Sequence, residues 1–135
     1  MRSIPLLLVS PLVILVTGCA NHMRSLEVGP DAQPRRAAVQ CAKDQLRRLG
    51  YDWYAGTQTP FTGLGVRVRG TLEDRMHITA LPTDSAAGDL LKVTATRYLK
   101  TARQFEERKT PPMVQTEIET IRSACRSAAH VLGGA

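Results

Sequence analysis

The sequence predicts an α+β domain built as a two-layer sandwich: a helix, a four-stranded antiparallel sheet and a second helix, with both helices on one face of the sheet. Three observations lead there. Apolar residues recur at helical spacing near the start and the end of the folded part. Between those stretches apolar and polar residues alternate, the period of strands with one buried face. The two helices are then the only cover available for that face. A chain of 135 residues with 43% apolar content allows one domain, and 4% aromatic content leaves its core to aliphatic side chains.

Residues 35–49 read as the first helix, with Ala38, Ala42, Gln45, Leu46 and Leu49 on one face and Cys41 at its edge. Asp31 or Gln33 can cap it, Pro34 is tolerated in the first turn, and Arg47 and Arg48 oppose the helix dipole in the last. Gly50 is the C-terminal cap. Residues 51–55 form a short aromatic strand, with Tyr51 and Trp53 on one side and Tyr54 on the other. After a loop over 56–65, Val66, Val68 and Leu72 are expected to point inward, and Arg67, Arg69 and Thr71 outward. Glu73-Asp74 reads as a tight turn.

Met76, Ile78 and Ala80 form the inward face of the returning strand, with His77 and Thr79 outward. Residues 82–88 are a loop, and Leu91, Val93 and Ala95 alternate with Lys92, Thr94 and Thr96 in a strand reaching about Leu99. The polar stretch 101–109 ends in an exposed loop at Glu106, Glu107, Arg108 and Lys109. Thr110 as N-cap and Pro111 open the last helix, whose apolar stripe is Val114, Ile118, Ile121, Cys125, Ala128 and Leu132, and Gly133-Gly134 ends it.

The N-terminus carries a different message. Arg2 precedes 13 apolar-rich residues, Ile4 to Val16, too few to span a bilayer as a helix. Val16-Thr17-Gly18-Cys19 follows. This resembles the lipobox of bacterial lipoproteins: an aliphatic residue, a small residue, Gly or Ala, then Cys. The resemblance covers the first 19 residues and implies a signal peptide over 1–18 and a membrane anchor through lipid on Cys19. The alternatives are an ordinary secretory signal or a short buried helix. Ala20, where an Asp would retain enteric lipoproteins in the inner membrane, favours the periplasmic face of an outer membrane. Residues 19–34 are then the lipidated end and a Pro- and Gly-bearing tether, and 35–135 a single periplasmic domain. The element order of that domain is similar to that of small envelope lipoproteins with a helix-grip-like domain.

Export bounds the reading of charge. Net charge is +6, and loss of residues 1–18 removes only Arg2, leaving +5. No nucleic acid is expected as a partner in the envelope. Arg67, Arg69, Lys92 and Arg97 are candidates for a basic contact face toward cell-wall polymer or lipid headgroups; the plainer reading is a solvated surface. Tyr51, Trp53, Tyr54 and Phe61 are either a partner patch or core packing. His22, His77 and His130 are not spaced for metal, no Gly-x-Ser-x-Gly is present, and Gly63-Leu64-Gly65 lacks the helix start that would hold phosphate.

No catalytic residue, cofactor or metal is therefore assigned. The leading expectation is a non-enzymatic binding or assembly accessory that meets an envelope protein. The alternatives are structural contact with anionic cell-wall or lipid surface, and an unrecognised hydrolase; Ser85 lies in a loop with Asp84, but nothing in the sequence places His77 near them. With Cys19 acylated, Cys41 and Cys125 are the two cysteines left, each beside the apolar face of a terminal helix. In an oxidising compartment that pair is expected to form a disulfide rather than two buried thiols.

Overall fold

The computed structural model describes residues 32–82 and 90–133, with side chains described as far as Arg126. The signal segment, Cys19, the tether with His22, the 82–88 loop with Asp84 and Ser85, and the side chains of Ala128, His130 and Leu132 lie outside the described residues, Pro82 excepted. The architecture is α+β: α1 (Ala32–Arg48), five strands β1 (Asp52–Ala55), β2 (Thr62–Arg69), β3 (Leu72–Ala80), β4 (Leu91–Lys100) and β5 (Phe105–Arg108), then α2 (Pro112–Gly133). The strands form one antiparallel meander in the order β1-β2-β3-β4-β5.

Both helices lie on the same face. Leu46 of α1 packs over Gly65 of β2, and Glu117 of α2 reaches Arg67 two residues along the same face of that strand. The core is aliphatic, as the composition requires. Ala38, Ala42 and Leu46 of α1 meet Met76 and Ile78 of β3, Leu91 and Val93 of β4, and Val114, Ile118 and Ile121 of α2. Cys41 and Cys125 join the two helices through a disulfide, with their Cα atoms 5.5 Å apart and a sequence separation of 84. At one end Arg35 donates to the Ala80 carbonyl (2.9 Å) and covers the Phe61 ring (3.8 Å), closing a small second cluster of Ala32, Val39, Phe61 and Ala80.

Two bounds shift: α1 starts at Ala32, so Gln33 lies inside it rather than capping it, and β2 starts at Thr62, inside the expected 56–65 loop. Three larger expectations change. A fifth strand replaces the expected loop at Glu106–Arg108. All four β5 residues are exposed, so no apolar alternation marks it, and pairing with Arg97–Lys100 of β4 defines it. The last helix begins at Pro112, with the Pro111 carbonyl accepting from Val114 N–H, so Thr110 is not its N-cap.

The third change reverses β2. The β2–β3 turn is Gly70-Thr71, with Gly70 at φ 61°, rather than Glu73-Asp74. A two-residue connection pairs each even residue of β3 with an odd residue of β2. Because Met76 and Ile78 are buried, Gly65 and Gly63 are the β2 residues that face the helices with them. Arg67 joins them and is 5% exposed, while Val68 points to water at 58%.

Candidate functional site

The two faces of the sheet are chemically distinct, and each contributes one candidate. On the helix-covered face, the register places Arg67 beside Asp74, and Asp74 beside Arg97. Glu117 descends from α2 onto this row. Arg67 Nη1 and Nη2 donate to the two Glu117 carboxylate oxygens at 2.8 and 3.1 Å, and Nη2 also donates to Asp74 at 3.3 Å. Arg67 Nη1 further donates to the Leu49 carbonyl at 3.0 Å. Arg97 grips Asp74 with two bonds, 2.6 and 2.9 Å. The Tyr51 hydroxyl donates to Glu117 at 2.7 Å, and the Tyr51 ring lies under the Arg67 guanidinium at 4.2 Å.

Two cations and two anions cancel, so the cluster carries no net charge. Burial alone would raise the Asp74 pKa, but hydrogen bonds from Arg97 and then Arg67 outweigh it and hold the carboxyl below its ordinary value. Burial, then the bond to Glu117, pushes the Tyr51 phenol well above its ordinary value. Burial opposes charge on Arg67, yet the Glu117 bond leaves its pKa raised. Arg67 Nε is buried without a partner. These groups hold one another in place, and the cluster fastens α2 to the sheet.

Two glycines make the arrangement possible. A Cβ at Gly63 would overlap the Trp53 indole, which lies across that strand from β1. A Cβ at Gly65 would stand 2.9 Å from Leu46 Cδ1. The Gly63-Leu64-Gly65 stretch is therefore a seat for two core side chains rather than a flexible turn.

On the open face the register lines up Asp52, Val66, Arg75 and Thr96 in one row. Tyr54, Leu64, His77 and Thr94 form the next row, and Val68, Glu73, Tyr98 and Glu107 lie on the other side. Leu64, Val66 and Val68 make an apolar rib along β2 with no helix above it among the described residues; Leu64 and Val66 are half-buried and Val68 is exposed. Val68, Tyr54 and Phe105 are 58%, 56% and 50% exposed. Arg75 donates to Glu73 at 2.6 Å and leans over Tyr98 and Phe105 (4.8 and 5.4 Å), closing off the β4–β5 side and leaving the β2 rib bare.

The proposed basic face does not assemble. Arg67 and Arg97 point to the helices and are neutralised there, Arg69 is exposed on that same side, and Lys92 is exposed on the opposite one. The reversed β2 is the cause for Arg67 and Arg69, while Arg97 follows Leu91 and Val93 onto the inward face of β4. The aromatic stretch follows the packing reading: Tyr51 and Phe61 are buried, Trp53 is half-buried and Tyr54 alone is exposed. His77 is exposed on the open face.

Glu117 escaped the sequence reading, although it left a signal. It interrupts the Val114, Ile118, Ile121 stripe at a stripe position, three residues after Val114. Among the described residues no cluster of His, Cys, Asp or Glu is placed to hold a metal ion, and no helix is long and apolar enough to cross a membrane. No protein-family model, curated protein or solved structure matches this chain.

Proposed function

We propose that this chain is a lipid-anchored lipoprotein of the bacterial cell envelope and that its folded domain is a non-enzymatic binding or assembly accessory. The observation that carries the second half is the apolar rib on the open face, with Val68 more than half exposed, Leu64 and Val66 half-buried, and exposed Tyr54 flanking Leu64. A folded domain gains nothing from leaving such a rib partly in water, and exposed apolar surface marks contact sites. The open face therefore meets another protein. The first half rests on Val16-Thr17-Gly18-Cys19, which implies cleavage before Cys19, lipid on its thiol and amine, and a membrane as the first partner. Residues 20–31 would then tether α1, at a reach of roughly 40 Å when extended, enough to clear the headgroups, and the Ala20 rule favours the periplasmic face of an outer membrane.

Two measurements test the two halves separately. Wild-type protein should take up radioactive palmitate and Cys19→Ser should not; an unlabelled wild type removes the anchor. Pull-down from detergent-solubilised envelopes should recover a stoichiometric protein, and Val68→Asp should lose it without loss of folding. Equal capture by wild type and variant removes the open face as the contact.

A further inference from the structure

The open face is self-complementary about β2. In the row of Val66, Asp52 stands on one flank, exposed and with no charged partner among the described residues. Arg75 stands on the other flank of the same row. Its Nε is given to Glu73, while its two terminal nitrogens have no hydrogen-bond partner among the described residues. One row along, Tyr54 occupies the Asp52 flank and His77 the Arg75 flank, bordering a shallow depression with Leu64 between them.

Turning a second copy about an axis parallel to β2 lays rib on rib, keeps the rows and exchanges the flanks. Each Asp52 then faces Arg75 of the second copy, and each Tyr54 faces His77 of the second copy across that depression. A turn about an axis across the strands would instead oppose Asp52 to Asp52. Isologous contacts need a patch that complements itself in this way.

We propose that the open face binds a second copy of this chain, β2 against β2, about a two-fold axis along the strand. The inference rests on the open face being the contact surface argued above. Three strands by three rows is roughly 15 Å by 20 Å from strand spacings, a small footprint for a stable soluble dimer. Association is accordingly weak in dilute solution and favoured when lipid anchors hold both copies on one membrane, where effective concentration is high.

Oxidative trapping of the full-length, membrane-held chain tests this. On the axis each β2 residue meets its own copy, so Val66→Cys should give a disulfide-linked dimer under copper phenanthroline. Thr94→Cys, on the same face but two strands away, should give little. In the Val66→Cys background Asp52→Arg, on an exposed edge strand, should lower the trapped fraction several-fold, and Asp52→Arg with Arg75→Asp should restore it. Equal trapping at positions 66 and 94, or no rescue by the double reversal, overturns the proposal. Cross-linking of Val66→Cys to a different protein overturns the second copy and leaves the contact face standing. No cross-link at all, with partner capture indifferent to Val68→Asp, removes both.

Discussion

Within one strand, β2 presents Gly63, Gly65 and Arg67 to the helices and Leu64, Val66 and Val68 to water. Hydrophobicity alone would sort these six the other way. The comparison teaches that register outranks residue type when the neighbouring strand is strongly committed. Met76 and Ile78 are 0% and 1% exposed, and the two-residue Gly70-Thr71 turn then leaves β2 no choice of face. The covered face tolerates the result because Glu117 and Asp74 neutralise Arg67 and the glycines leave room for Leu46 and Trp53. The open face has no such compensation among the described residues, and it is there that the proposed contact would act.

The covered face should be costly to disturb, first through the bond that holds its two helices together. Opening the Cys41–Cys125 bridge releases a loop of 84 residues, for which the chain-entropy model gives about 4–5 kcal/mol as an upper figure. Cys41→Ala and Cys125→Ala should lower the melting temperature by similar amounts. Two reactive thiols per chain, beyond Cys19, in denatured but unreduced protein would show that the bridge is not formed.

The charge cluster comes next. Arg67→Ala leaves Glu117 and Asp74 facing each other without their shared cation and should cost about 3–5 kcal/mol in urea unfolding. Arg67→Met with Glu117→Leu removes both charges and should cost clearly less, because a buried pair is expensive to break and of modest net value when whole. Equal losses for the two variants would show that packing, not unpaired charge, governs this row.

The same row should set a pH signature at each end. The Asp74 pKa is lowered in the fold, so its contribution is present above the ordinary carboxyl value, roughly 4, and is lost as pH falls through the folded value. The Tyr51 pKa is raised, so its contribution is present below the ordinary phenol value, about 10, and is lost as pH rises beyond it. Asp74→Asn should flatten the acid limb and Tyr51→Phe the alkaline limb of stability against pH. An unchanged acid limb in Asp74→Asn would remove Asp74 as its source.

Much of this was legible in the residues. Helical spacing found both helices, alternation found β3 and β4, and export logic paired Cys41 with Cys125. The orientation of β2 is also implicit in the residues. Val66 and Val68 cannot share the inward face with Met76 and Ile78 across any two-residue turn, because such a turn pairs odd with even. β5 was hidden for a different reason: Phe-Glu-Glu-Arg, exposed on both sides, carries no burial pattern, and only its ladder to β4 makes it a strand. The Arg67–Glu117 contact joins residues 50 apart, and no local rule pairs a strand arginine with one helix glutamate among several.

The smallest expected effect separates the two faces most sharply. Gly65→Ala puts a Cβ 2.9 Å from Leu46 on the covered face and should cost about 1–3 kcal/mol through overpacking. One face away, Val68→Thr exchanges a methyl for a hydroxyl at a site that is 58% exposed. Little apolar area is returned to water there, no buried group loses a partner, and threonine suits a strand as well as valine does. The change in stability of the soluble, unassembled domain should therefore stay within about 0.5 kcal/mol, the range of ordinary surface substitutions. Chemical denaturation of domain lacking residues 1–18 at low concentration measures it. A loss above 1 kcal/mol would mean that Val68 already packs within the single chain and that the rib is part of its own core. A neutral result, together with loss of partner capture in Val68→Asp, would locate the reason for Leu64, Val66 and Val68 in what binds them.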